Sequence, residues 1–307
     1  MIHPHELAAR DDRLTRRLRA LGVTAGATVY TATDLTRLPM PDLERQILRR
    51  LSPRERQDLW LDWVYESIRA AVGPAGTLVV PTFFYDYARY NRPFVYEESP
   101  SQVCNFSEHI RRKPGACRSL HPLFSLTALG PAAEAICGAT GHSAYGECSA
   151  FARLAPRGAL FAFLGATLGD ALTYAHHLEQ LYGVNHAFNK VFEAPVYRGG
   201  REIPGPWYAF VRYLGMNIEI DLHPFETYLR DRGLLRIDAT ERGEIQVIEA
   251  ATVHREGLDC LARDACFFLQ RPVRVHFKQD NLVIRDTQPD AFLVGLLSED
   301  PKSHVSE

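Results

Sequence analysis

At 307 residues, with 46% hydrophobic and 23% charged side chains, the chain has the composition of an ordinary globular protein able to bury a large core. A formal net charge of -2 leaves no electrostatic case for nucleic acid or a membrane surface as partner. No apolar run approaches the roughly 18 residues of a membrane-spanning helix. The first residues lack the apolar core of a secretory signal, so a cytoplasmic protein is expected.

Residues Asp11 to Leu21 have helical spacing and end at Gly22, a suitable residue to follow a helix. Ala27 to Ala32 reads as a strand. Ser52-Pro53-Arg54-Glu55 is a capping box with proline at the first helical position. The helix it opens carries Leu59, Trp60, Trp63, Val64 and Ile68 as its apolar stripe and stops at Gly73-Pro74. Thr77 to Pro81 is a short strand of the buried type, and the strand–helix–strand alternation argues for an α/β architecture.

Thr82 to Ser101 is a long loop rich in aromatics, read either as a lid over a ligand or as a packed surface excursion. A short helix over Phe106 to Arg112 follows, then a strand-like run within 118–131 and a small helix at Ala132 to Ile136. The polar loop 141–154 leads toward a helix with Ser149 as N-cap. Gly158 to Leu164 reads as a buried strand, and the Gly- and Pro-free segment after Asp170 as a helix. Further on come strand-like runs at Val191 to Tyr197 and Ile245 to Ile248, and helices near Pro224 to Asp231 and Arg255 to Leu269. The polar residues after Glu299 are expected to fray. The expected organisation is one α/β domain over 1–307 with a helical insertion at about 36–53, an aromatic loop at about 82–101 and a C-terminal α+β extension.

The six cysteines form no C-x-x-C pair and read as reduced, mostly buried thiols; Cys148, in a polar loop, has no evident base beside it. There is no P-loop, no G-x-G-x-x-G and no G-x-S-x-G elbow. Asp170, His176 and Glu179 stand out instead. Helical positions three apart share a face, so His176 could act as acid or base with Glu179 orienting it, or the pair could be a half-buried histidine beside a solvated glutamate. His176 and His177 point about 100° apart on a helix, a poor arrangement for joint metal binding, and no metal is expected.

Four segments in order, TVYTATDL, AVGPAGTLVVPTF, RKPGACRSLHPLFSLTALGP and GDALTYAHHLEQ, resemble the aminoglycoside 3-N-acetyltransferase family, with weaker similarity in GECSAFARL and VFEAPVY. The resemblance covers about residues 15 to 270, and Arg-Ser-Leu-His-Pro is its most specific piece. It implies the antibiotic N-acetyltransferase fold, a mixed β-sheet flanked by helices. It also implies acetyl-CoA as co-substrate, with direct transfer to an amine of an amino sugar or sugar-like molecule, in a monomer or homodimer. Under this resemblance His176 is the general base and Glu179 its orienting carboxylate, and Thr82 donates to the oxyanion. His121 contacts the thioester or the pantetheine arm, or is a buried histidine satisfied by backbone; Ser119, Pro122 and Ser125 face the coenzyme, as does Arg118 unless it is a surface salt-bridge partner, and Thr82 is alternatively a turn-forming residue. Tyr30 and Thr31 lie where ligands gather at a strand end. Asp170, Tyr85, Asp86 and Glu147 face the acceptor, Asp170 alternatively serving as a helix N-cap.

Where the family usually has His-Ser-Ser, this chain has Tyr30-Thr31-Ala32, and the acidic acceptor loops hold a mixture of Asp86, Arg89, Arg92, Glu97 and Glu98. Acetylation of an aminoglycoside for resistance is one alternative. A thioesterase or amide hydrolase using the same His–Glu pair is a second, and a silent coenzyme-binding protein a third.

Overall fold

The computed structural model describes residues 11–42, 49–213, 218–278 and 281–285. The chain opens with α1 (Arg13–Ala20), β1 (Thr28–Thr33), α2 (Pro53–Val72), β2 (Thr77–Pro81), α3 (Asp86–Arg89), β3 (Phe94–Val95) and α4 (Asn105–Arg111). Next come β4 (Cys117–Arg118), β5 (Leu126–Leu129), α5 (Ala133–Cys137), β6 (Leu160–Leu164), α6 (Leu168–Ala171) and α7 (Ala175–Tyr182). The rest is β7 (Ala187–Phe192), β8 (Val196–Arg198), β9 (Arg201–Glu202), β10 (Trp207–Arg212), α8 (His223–Asp231), β11 (Arg236–Ala239), β12 (Glu244–Glu249), α9 (Ala250–Arg263) and the pair β13 (Arg274–Lys278) and β14 (Asn281–Arg285).

Seven strands form one mixed sheet in the order β11-β12-β6-β1-β2-β5-β4. The middle strands β6, β1 and β2 run parallel, and β12 and β5 pair antiparallel on either side. β2 and β6 are buried at every position, as strands covered on both faces must be. Alternation sorts their side chains. Val29, Leu78, Val80, Leu160 and Ala162 pack with Leu14, Trp63, Ile68 and Phe106 from α1, α2 and α4. Tyr30, Val79, Phe161 and Phe163 point the other way, into a core shared with α5, α7, α9 and the aromatic segment. The C-terminal part extends the same sheet, since β12 pairs with β6 from Ile245↔Leu164 to Glu249↔Leu160.

The Ser52 capping box forms as expected, with Ser52 Oγ accepting from Glu55 N–H and Glu55 accepting from Ser52 N–H. Several expectations need correction. The 82–101 segment is not an unstructured loop: it holds α3 and β3, β3 pairs with β8, and Phe83, Phe84, Tyr87 and Phe94 are buried, so it is a packed excursion. Ser149 accepts from Ala152 N–H at 3.2 Å but caps only turns before the 3₁₀ helix Ala155–Arg157. The strand expected over Val191 to Tyr197 is two strands, β7 and β8. The last helix starts at Ala250 and ends at Arg263. In the insertion expected at 36–53, residues 43–48 lie outside the described residues, and the preceding part holds the 3₁₀ turn Leu35–Arg37. The tail after Glu299 also lies outside them.

Candidate active site

The site is built where β6 hands the chain to α6 and α7. Gly165, with φ of 74°, makes the turn out of β6, and a Cβ there would sit 2.3 Å from the Asp34 carbonyl, so only glycine fits. Thr167 caps α6 by accepting from Asp170 N–H at 3.2 Å. The single helix expected after Asp170 is interrupted: Leu172 leaves the helical region at ψ of 76°, and α7 starts afresh at Ala175. Asp170 is therefore neither the N-cap nor on the helix of His176. Its side chain is exposed, accepts from Thr167 Oγ1 at 3.0 Å, and pairs with Arg37 at 3.7 Å and His223 at 3.4 Å.

On α7, His176 Nδ1 donates to Glu179 Oε2 at 3.0 Å. Glu179 is 1% exposed, whereas the His176 side chain keeps 28% of its surface. With Nδ1–H committed to the carboxylate, Nε2 carries the lone pair, and among the described residues nothing hydrogen-bonds it. The glutamate is therefore not solvated, and a half-exposed imidazole on a buried, charged orienter is the arrangement of a general base. The second carboxylate oxygen, Oε1, accepts from His186 Nε2 at 3.1 Å, and His186 is fully buried. Burial by itself would push the Glu179 carboxyl up; the hydrogen bonds from His176 and His186 outweigh it and hold the carboxyl at about 2. Burial disfavours a proton on His186, but the Cys266 thiol and Glu179 more than offset this and raise it to about 9. The two shifts each favour the charged form of their group across the 3.1 Å contact.

Tyr145 packs its ring 5.3 Å from that of His176. Its phenol, raised by burial, is flanked by Tyr85, Tyr30 and Glu179. Tyr30 packs edge-on against Phe161 and Tyr85 against Phe83. Tyr30 is buried inside β1 rather than at its end, and Tyr85 is 37% exposed. Thr31, next along β1, is buried with its hydroxyl unpartnered. His177 turns away and donates from Nδ1 to the Tyr145 carbonyl at 2.6 Å.

A second group of expected residues gathers elsewhere and is occupied internally. Thr82 Oγ1 is fully buried, within 3.2 Å of both the carbonyl and the hydroxyl of Ser125 and 3.0 Å from Thr127 Oγ1, so it is not presented as an oxyanion donor. Arg118 is neither a surface ion-pair residue nor turned out toward a phosphate. Its guanidinium donates to Ser125 Oγ (2.9 Å), Ser99 O (2.5 Å) and Thr82 O (2.7 Å), and burial lowers it to about 9. Ser125 Oγ donates to Thr82 O at 2.7 Å, and Ser119 Oγ accepts from Leu126 N–H at 2.9 Å. His121 has both ring nitrogens engaged: Nε2 donates to Tyr208 O at 2.9 Å, and Nδ1 accepts from Phe124 N–H at 3.0 Å. Burial pushes it down to about 4, so it is a neutral turn-holding residue rather than a thioester contact, and Pro122 beside it is buried. Asp86 pairs with Arg92 at 2.6 Å, while Glu147 is exposed.

Residues 49–262 match the family described as aminoglycoside 3-N-acetyltransferase. The chain belongs to that family. It is 29% identical over 279 residues to aminoglycoside N(3)-acetyltransferase VIII of Streptomyces fradiae, covering 80% of this chain and 90% of the relative. The fold matches those of solved family members. AAC-VIa bound to sisomicin gives a TM-score of 0.67 at 22% identity, over 82% of this chain and 97% of that one. The binary complex of AAC-IIIb with CoASH gives 0.65 at 23%, over 81% and 95%. As a member of the aminoglycoside 3-N-acetyltransferase family the protein is an acyltransferase that transfers an acetyl group to an amine.

Sequence reasoning missed His186 and Tyr145. Tyr145 lies within the family-like GECSAFARL neighbourhood, which was a usable signal. His186 is seven residues from Glu179, beyond Gly183, and no local periodicity connects the two.

Proposed function

We propose that the protein transfers the acetyl group of acetyl-CoA directly to a primary amine of an amino sugar or sugar-like small molecule, with His176 as general base. The observation that carries this is the half-exposed His176 imidazole, with a free Nε2, held by a buried carboxylate in a chain of this family. The acceptor arrives mostly as an ammonium ion, so a proton must leave before its nitrogen attacks the thioester carbonyl, and His176 Nε2 takes it. The C–N bond forms, the nitrogen of the tetrahedral intermediate releases its second proton to solvent, the intermediate collapses with cleavage of the C–S bond, and the sulfur leaves as the thiol with the proton that His176 returns. Glu179 stabilises the imidazolium in between. The coenzyme as donor is supported by the AAC-IIIb complex with CoASH, and an amino-sugar acceptor by the likeness to the aminoglycoside N(3)-acetyltransferase VIII of Streptomyces fradiae and by sisomicin on AAC-VIa.

Of the carboxylates expected to face the acceptor, Asp86 is tied to Arg92 and Asp170 to Arg37 and His223, while Glu147 is exposed. The test is thiol release from acetyl-CoA against aminoglycosides, free amino sugars and nucleotide-linked amino sugars, in wild type and His176→Ala. One acceptor class should drive release, and the variant should lose at least roughly 10²-fold in kcat/KM. Equal release without any amine would mean a hydrolase.

A further inference from the structure

Glu179 spends both carboxylate oxygens on histidines: Oε2 on His176 at 3.0 Å and Oε1 on His186 at 3.1 Å. His186 sits outside α7, on the segment between Gly183 and β7, and reaches back to the helix with no exposed surface. We propose that His186, as an imidazolium, is a positioning residue for the acetyl transfer, clamping Oε1 of Glu179 so that Oε2 stays aimed at Nδ1 of His176. The proposal rests on His176 being the base of that reaction.

Three physical effects follow from the clamp. A glutamate side chain left free would spread over several rotamers, at a cost of roughly 1.5–2 kcal/mol to order, and the second imidazole settles that ordering in advance. A buried carboxylate with one hydrogen-bond donor would be poorly solvated; with two it is satisfied and the pair of bonds reinforce each other. The cation also offsets part of the negative charge that His176 feels, so the base does not hold its proton more tightly than transfer requires.

Among the described residues the charged and titratable groups around this clamp are few, and on the far side of His186 its Nδ1 has no hydrogen-bond partner of good geometry among them; the Cys266 sulfur is its polar neighbour. Cys266 itself is held by the Val273 backbone, accepting its N–H at 3.4 Å. Arg212 of β10 adds a positive charge near Glu179 while donating to Ile218 O at 2.7 Å. The Tyr145 phenol, beside the dyad, is kept protonated by burial. His177, next to His176 on α7, is engaged with the Tyr145 carbonyl and does not join the clamp.

Two measurements test the clamp. In the wild-type enzyme, ¹⁵N-resolved imidazole signals should show His186 with both ring protons at pH 7.5; a neutral His186 at that pH overturns the proposal without any variant. His186→Gln keeps a donor of similar reach and removes the charge. It should lose about 10-fold or more in kcat with the KM for amine unchanged. The acid limb of its kcat/KM profile should move up by about one pH unit, because the offsetting cation is gone. A pH profile superimposable on that of wild type, whatever happens to the Tm, means that His186 only fills space, and the proposal falls. If no amine draws thiol from wild-type enzyme, the acetyl-transfer reading is what fails, while the imidazole signals still report on the His186–Glu179 pair.

Discussion

Arg118 is a buried cation without a carboxylate against it. It is held by two carbonyls, one hydroxyl and the face of Phe94 at 4.7 Å. Residues that a motif marks as coenzyme contacts here act as staples between the aromatic segment and β5. Arg118→Ala removes the guanidinium donors to the buried Ser99 carbonyl, the Thr82 carbonyl and the Ser125 hydroxyl, so urea unfolding should show a loss of about 3 kcal/mol, with the KM for acetyl-CoA unchanged in the folded fraction. A raised KM at unchanged stability would return Arg118 to the coenzyme. Glu179→Gln tests the other end of the residue scale. An amide has one acceptor oxygen for two histidine donors and turns its N–H₂ toward one of them. kcat should drop by between about 10² and 10⁴, with a loss of stability.

Among the elements, α7 carries the proposed base and is only eight residues long. Its C-terminal end is closed by Gly183 in the left-handed region at φ of 78°, whose N–H bonds Glu179 O at 2.9 Å. No atom lies within 4 Å of where a Cβ would go, so Gly183→Ala carries backbone strain alone. Thermal unfolding should show about 1–2 kcal/mol lost. Activity should fall further than stability explains, because the strained bond is made by the backbone of Glu179 itself. Ser52→Ala, at the start of α2 and on the opposite face of the sheet, should cost about 1 kcal/mol and leave kcat untouched. The capping box was legible because both of its hydrogen bonds close within four residues. The break at Leu172 was not, because no glycine or proline marks it. Leu172 is buried in the core and the Tyr174 hydroxyl bonds His254 Nδ1 on α9 at 2.9 Å, so packing against distant segments interrupts the helix.

For the whole molecule, three buried groups shape stability against pH. Glu179 is held at about 2, below its ordinary 4.5, so its contribution is present above pH 4.5 and is lost as pH falls toward 2. His121, neutral and lowered to about 4 from 6.5, contributes above pH 6.5 and loses that contribution as pH falls toward 4. His186, raised to about 9, contributes below pH 6.5 and loses its contribution as pH rises toward 9. Together they place the greatest stability near pH 6.5. A Tm series from pH 4 to 9 should fall on both sides, and His186→Gln should flatten the alkaline side and, because His186 also helps to hold Glu179 low, soften the acid side.

The division between sequence and structure follows the range of the forces. Patterns that close within a turn or a strand were readable directly: the apolar runs of β2 and β6, the stripe of α2, and the i, i+3 spacing that lets His176 meet Glu179. Hydropathy and hydrogen-bond reach act between near neighbours, and the residue order alone specifies them. Which polar side chains face a ligand is a different matter, because it depends on what packs against them from far along the chain. Thr82, Arg118, His121 and Ser125 are turned inward by partners 7 to 87 residues away. His186 reaches Glu179 only because the chain doubles back after Gly183 and seals the pair from water. Burial decides whether a polar group is spent on the protein or left for chemistry, and burial exists only once the sheet, its helices and the aromatic segment have closed on one another.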